Sequence, residues 1–426
     1  MAPTCARRGS PGPAGSRPEG LPLAWRPLRP SPWLARPTGH SPDMVAVARW
    51  EDRPHPPGFA VYGFEMLSSS WAFGRPSCRA QRVPVGLPVS RGRIDRFQEG
   101  SAMDFAPSVY EHAAALIERT PWEASREADL LFAAHAEAYR RYHHRPVVVG
   151  IDIYNLEAEA YGGVVEPPQG VGVPAIRRPV LASAAELLEL DPLEPACDGR
   201  IPMVVEVAAR LAAHFPEADI RVPVSGPFSI ATNLVGCERL LSEVAEAPQQ
   251  VAIGLMHLVE GQVAFCRAVR ARGLDIAFFE SAAAPPLLSP AAFRRIELPA
   301  LRRTLGEAAT VVGHPVPCVI GGDTTPILDA ILETGTGYVV CPIETDQQAF
   351  MQRIWDRTDV RVRVNTSAEV MTRGSWEEIR AEVDRIVRLT ADRPNVCLGT
   401  GALPYETPPE NVLRVKAYCR QLAQAR

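Results

Sequence analysis

Residues 317–328 read PCVIGGDTTPIL: a short apolar run that stops at Gly321-Gly322, then an acid, two threonines and a proline before a helical pattern resumes. A glycine pair behind a buried-type run ends a strand and lets backbone approach a ligand closely. In a chain that alternates strands and helices, this is how a strand's C-terminal end looks when it presents polar groups to a ligand. Working outward, the same grammar repeats. VVVGIDI at 147–153, RVPVSGP at 221–227, IAFFESA at 276–282, YVVCPIE at 338–344, VRVRVNT at 360–366 and NVCLGTG at 395–401 all run apolar or alternating into an acid, a polar residue or glycine. Helical periodicity follows each, over 122–142 before the first and then over 201–215, 249–272, 290–305, 326–333, 347–356, 375–391 and 409–425. Seven strands in βα order predict a doubly wound sheet or a TIM-type (β/α)8 barrel. No GxGxxG follows the first run and no Walker sequence occurs, so the nucleotide-binding alternative has no motif and the barrel is preferred. Its eighth strand must come from upstream, with RVPVGLPV at 82–89 as the candidate, or be missing.

Composition narrows the class. Hydrophobic residues make up 46% and charged residues 22% of 426 residues, an ordinary globular balance. No run approaches the ~18–20 apolar residues of a membrane span, so the chain reads as soluble, with no membrane partner. The nine cysteines are scattered without a CxxC pair, which argues against a zinc ribbon or disulfide framework and for buried thiols in a reducing cytoplasm. The net charge of −4 hides a split: residues 1–102 hold 14 arginines against 7 acids with 16 prolines, a net of +7, which leaves −11 for the remainder. The basic stretch admits an RNA-binding arm or a targeting peptide, but its prolines break any amphipathic helix and disorder over 1–80 is the better expectation. Globular patterning begins at Met103, an alternative start for the chain, and 81–102 stays open as a first strand. Nothing else points to nucleic acid.

In a barrel the strand ends converge on one face, and they collect Asp152, Ser225, Glu280, Asp323, Glu344, Asn365 and Thr400. Asp152, fixed behind a long apolar run, is expected to face the mouth, poorly solvated, and to pair with a ligand N–H or a developing cation. Glu280 and Glu344 read more simply as caps or solvated loop acids. SGPFSIA at 225–231 permits close ligand approach at Gly226 with Phe228 beside it, and tight packing explains it almost as well. His143, His144 and His314 precede strands, on the face opposite the chemistry, and His257 sits inside a helix as a packing residue.

Together GIDIYN, SGPFSIA, GGDTTPIL, VNT…GS and GTGALPYETPPENV resemble the uroporphyrinogen decarboxylase superfamily, which holds decarboxylases of haem synthesis and methylcorrinoid-linked methyltransferases. The resemblance runs from about residue 120 to the C-terminus and implies a TIM-type barrel. In the decarboxylases the residue at Asp152 contacts pyrrole N–H groups, an RQAGR element binds carboxylates, and a GHG turn closes the chain. Here that turn reads Gly399-Thr400-Gly401, and PVGLPVSRGR at 84–93 matches only the ends of RQAGR. In the thiol-directed methyltransferases three ligands hold zinc. Aligned on TTPIL and ETPPEN, those places carry Val319, Gly321 and Gly401, and Cys318 is one strand position out of phase. No metal is therefore expected. The resemblance then implies a zinc-independent methyltransferase, moving a methyl group from a corrinoid-binding protein to tetrahydrofolate. Asp152 would be its catalytic acid, and Asn155, Ser225, Gly226, Phe228, Gly321, Asp323, Asn365, Thr400 and Gly401 its ligand-binding residues. The alternatives are a decarboxylase-like tetrapyrrole enzyme and a non-catalytic barrel that binds a pterin or tetrapyrrole. Superfamily relatives are often dimers, so a homodimer is the expected assembly.

Overall fold

The computed structural model describes residues 104–424. Two four-stranded parallel sheets curl around a common axis. The first runs β1 (Asp104–Ser108), β10 (Val396–Ala402), β9 (Arg361–Thr366), β8 (Tyr338–Cys341); the second runs β2 (Val147–Val148), β5 (Ile220–Ser225), β6 (Asp275–Phe279), β7 (Cys318–Val319). The intervening β3 (Val165–Glu166) and β4 (Ala175–Ile176) form a small antiparallel hairpin outside the barrel. At the β7/β8 seam the Thr336 hydroxyl donates to Val316 O at 2.7 Å. At the β1/β2 seam, Tyr110 and Val148 belong to one buried cluster.

The barrel expectation is met, with one correction. The eighth strand is Asp104–Ser108, directly after Met103, and it pairs with β10 through Phe105↔Leu398 and Ala106↔Gly399. DFAPS carries a proline, one large apolar residue (Phe105) and no β-branched residue, so no strand period announces it; pairing with β10 supplies what propensity does not. The candidate at 82–89 lies outside the described residues.

Strand register separates two faces, because side chains alternate along a strand. Val362, Val364, Leu398 and Cys341 join the large core between sheet and helices. Tyr110, Val148, Ile153, Ala277 and Phe279, with Tyr154 and Val319 against them, form a second cluster inside the barrel. The helix Pro248–Ala271 is the one described helix long and apolar enough to cross a membrane. It instead buries Leu255, Leu258, Val263, Phe265 and Val269 in the outer core.

Helix boundaries differ from the pattern where backbone chemistry intervenes. The expected helix at 122–142 is two, Pro121–Arg126 and Ala128–Tyr142, broken at an extended Glu127. The first is opened by a capping box between Thr120 and Glu123, which fixes its start independently of the second. Residues 293–297 adopt a π-helical turn ahead of helix Leu298–Val312, and that turn buries Glu297.

Candidate active site

Asp152 is buried, and its carboxylate is already engaged. Arg200 grips it with two bonds, Nη1 to Oδ1 at 2.8 Å and Nη2 to Oδ2 at 2.6 Å. The same guanidinium donates to Ser125 O and to Glu159, and Glu159 is also bonded by Arg126. Asn155 completes the cluster, its Nδ2 donating to Asp152 Oδ2 at 3.0 Å and to Pro174 O at 2.8 Å. Leu131, Leu156 and Val204 surround this network, so the acid expected to face the mouth is held in an ion-pair network against the helix layer. A bidentate, desolvated pair of this kind is worth keeping intact, since either charge alone would be costly there.

Ser225 has the inward register of Phe279, its partner across the sheet, but its hydroxyl turns to Glu157 at 2.8 Å. Glu157 also accepts from Ser225 N at 2.6 Å, and burial raises its carboxyl to about 7. Gly226 is the N-cap of helix Pro227–Val235. A Cβ there would stand 2.6 Å from Glu280 Cδ, so only glycine lets Glu280 approach. Glu280 Oε2 accepts from Phe228 N at 3.1 Å and Ser229 N at 3.2 Å, capping the helix. Against it lies Glu297, fully buried; desolvation and the Glu280 charge push its carboxyl far upward. The cap reading of Glu280 therefore holds in a buried form. Phe228 belongs to the outer core.

Thr400 also faces outward. Its register is that of Thr366 and Val364 rather than Gly399, and its Oγ1 accepts from Ser108 N at 3.0 Å. Asp323 sits partly exposed on the Gly-Gly loop, accepting from the Thr345 hydroxyl at 2.7 Å. Gly321 has no atom within 4 Å of where a Cβ would be. Cys318 packs in the outer core while Val319 joins the inner cluster. Among the described residues no group of three or more His, Cys, Asp and Glu could hold a metal ion. The side chains of Val319, Gly321 and Gly401 offer no ligand atoms for zinc.

What the sequence reading missed is Arg363 on β9, two residues before the expected Asn365. Both carry the inward register, level with Cys397 and Gly399 on β10. Arg363 is 6% exposed, its Nε is buried without a partner, and no described carboxylate pairs with it. Its electrostatic neighbours are the phenols of Tyr338, Tyr110 and Tyr154, each pushed above its usual range chiefly by burial. The Asn365 Oδ1 is likewise buried and unpartnered. Gly399 makes room for both: a Cβ there would be 2.5 Å from Arg363 Cγ and 2.7 Å from Asn365 Oδ1. The only hint in the sequence is an arginine at an alternating position of VRVRVNT, which is easily taken for a solvated face. At the end of β1, Glu111 is raised to about 7 by burial, with the Glu406 charge adding to it.

The eight-stranded α/β barrel brings the rings of Tyr110, Tyr154 and Phe279, the Arg363 guanidinium and the Asn365 amide to its inner face, with Arg363 Nε and Asn365 Oδ1 unpartnered among the described residues, and this face is where barrel enzymes place their ligands. The sequence profile of uroporphyrinogen decarboxylase (URO-D) matches residues 93–422, and the chain belongs to that family. Among solved structures, a methyltransferase from Methanosarcina mazei aligns with TM-score 0.60 and 19% identity, over 76% of this chain and 94% of that one. At that identity the likeness speaks for the fold. A protein described as a vitamin-B12-independent methionine synthase from Listeria monocytogenes aligns with TM-score 0.45 and 9% identity, over 76% of this chain and 98% of that one, too low to argue from. A comparison with curated protein sequences finds no match.

Proposed function

We propose that this protein is a uroporphyrinogen-decarboxylase-like enzyme acting on a carboxylated tetrapyrrole or a close pyrrole relative. The observation that carries the reading is the buried Asn365 Oδ1, unpartnered among the described residues, on the same inward face of β9 as Arg363, whose neighbours include Tyr110 and Tyr154. A buried acceptor left unpaired costs stability unless a ligand supplies a donor. A flat heterocycle with ring N–H groups, such as a pyrrole, supplies one. Membership of the family favours that class of ring.

Loss of an acetate carboxyl from a pyrrole converts a carboxymethyl group and one proton into a methyl group and CO2. The ring takes up a proton first, so that the electron pair of the breaking C–C bond has a cation to flow into; after CO2 leaves, the exocyclic methylene takes a proton and the ring gives its proton up, for a net uptake of one. That step needs an acid near neutrality, and Glu111, just past the end of β1 and an electrostatic neighbour of Tyr110, has a matching proton affinity, while Glu157 is taken up by Ser225. Asp152 would reach a protonated ring only by giving up Arg200, so in this reading it holds the loop rather than the substrate.

The second reading is methyl transfer from a corrinoid protein to tetrahydrofolate. The same Asn365 oxygen favours it, since it would accept equally from a pterin N–H. One pair of assays separates the two. Purified full-length protein should release CO2 from uroporphyrinogen or coproporphyrinogen under reducing conditions, with products of fewer carboxyls on chromatography. If it leaves both porphyrinogens intact and unbound yet demethylates methylcobalamin with tetrahydrofolate, the tetrapyrrole reading is wrong.

A further inference from the structure

We propose that Arg363 is the seat for one carboxylate of the ligand, reached from the C-terminal mouth, and that it selects free acids over esters of the same ring. The proposal rests on the preceding reading only for the identity of that ring. Three observations support it. Arg363 is buried, its Nε has no partner and no carboxylate among the described residues pairs with it, whereas the other described arginines of the inner face are taken: Arg221 by Asp219 at 2.9 Å and Arg361 by Asp104 at 3.2 Å. A cation buried without its counter-charge is costly and is expected to be met by a ligand anion.

The direction of the side chain fits an approach from the mouth. Arg363 is level with Val340 and Cys397, but its stem lies across Gly399, which is level with Asn365, one inward position nearer the mouth. The stem therefore leans toward the strand C-termini. Tyr110 and Tyr154, which lie beyond strand ends, are among its electrostatic neighbours. The charge argument sets the anion: one guanidinium matches one carboxylate, in the planar two-bond geometry arginine favours. A phosphate dianion would keep an unmatched charge among phenols.

The test uses the full chain as wild type, Arg363→Gln and Arg363→Lys, titrated with coproporphyrin III and with its tetramethyl ester, and Arg363→Met for melting alone. Wild type should bind the acid at least about 30-fold more tightly than the ester, Arg363→Gln should bring that ratio within about threefold, and Arg363→Lys should restore part of it. Thermal melting of the ligand-free proteins provides the second readout. A seat held open for a ligand predicts that Arg363→Gln melts at the same or a higher temperature. A retained acid-to-ester ratio in folded Arg363→Gln overturns the proposal, and so does a lower melting temperature for both ligand-free Arg363→Gln and Arg363→Met. If coproporphyrin does not bind but tetrahydrofolate does, and Arg363→Gln weakens it, the seat stands and the tetrapyrrole reading falls. If neither binds, sodium acetate should still raise the melting point of wild type above that in sodium chloride, and not that of Arg363→Gln. Failure of that last difference also overturns the seat.

Discussion

Arg200 closes both oxygens of Asp152, with Nη1 2.8 Å from Oδ1 and Nη2 2.6 Å from Oδ2. Asp152→Ala leaves Arg200 buried with only Glu159 to answer it. Breaking one side of such a pair costs about 3–5 kcal/mol, so a denaturant midpoint well below wild type is expected. If Asp152→Ala unfolds at the wild-type midpoint, the pair is not a structural one. Arg200→Met tests the converse, because it frees Asp152 without touching it.

His135 offers a pH experiment. Its Nε2 accepts the Gly150 amide at 2.9 Å, and burial lowers its pKa to about 4. The folded state therefore binds fewer protons than the unfolded chain between the ordinary histidine pKa and about 4. Stability from this group is complete above the unfolded pKa and falls as pH drops through that window. His112 and His144 are lowered by burial in the same direction. His135→Gln, which keeps an acceptor for Gly150, should lose less stability between pH 7 and pH 5 than wild type in paired urea titrations.

The carboxyls run the other way. Glu157 is raised to about 7 by burial, against the two bonds from Ser225 that lower it. A raised carboxyl pKa makes the folded state bind more protons, so this group's contribution is present at acid pH and is lost as pH rises from the unfolded value toward about 7. Glu297 is raised further, by burial and then by Glu280. Glu297→Gln keeps a hydrogen-bond donor toward Glu280 and removes the ionisation. It should gain stability over wild type at pH 8 and show little difference at pH 4.5; equal midpoints at pH 8 would count against a protonated Glu297.

Gly399→Ala places a methyl 2.5 Å from Arg363 Cγ and 2.7 Å from Asn365 Oδ1. The Arg363 stem must shift, and a ligand seated there should bind about tenfold or more weakly, while overpacking costs about 1–3 kcal/mol. Coproporphyrin titration alongside a thermal melt checks both. Unchanged affinity would mean that the ligand does not depend on this part of the wall.

Glu111→Gln removes the mouth carboxyl that titrates near neutrality. In the decarboxylation assay the wild-type rate should fall as pH rises through about 7, where the acid form is lost. The variant should lose most of the rate, about 10²-fold or more, and any residual rate should lack that limb. A variant that keeps the wild-type profile assigns the limb elsewhere.

Periodicity made most of the barrel legible, because each strand from β2 to β10 in the wall is a run of apolar residues stopped by glycine or a polar side chain. The first strand escaped it: DFAPS has little β propensity of its own and is held by pairing with β10. Strand ends were also found correctly as places, but not as directions. Asp152 and Thr400 sit where expected along the chain, yet Arg200 and Ser108 hold them away from the inner face, and such partners lie 48 and 292 residues away in sequence. Arg363 was missed for the opposite reason. An arginine alternating with valines reads as the wet side of a strand, and only closure of the sheet turns that side inward.

The bare wall at Gly399 has a consequence for the life of the molecule. Arg363 Nε and Asn365 Oδ1 are buried and unpartnered among the described residues, a cost that a ligand supplying an anion and a donor would relieve. Any ligand that binds only the folded form adds stability in proportion to the logarithm of its concentration over its dissociation constant. Pairing of the Arg363 cation would enter that gain through a lower dissociation constant. Ligand-free copies should open more often and be cleared sooner by proteases than loaded ones.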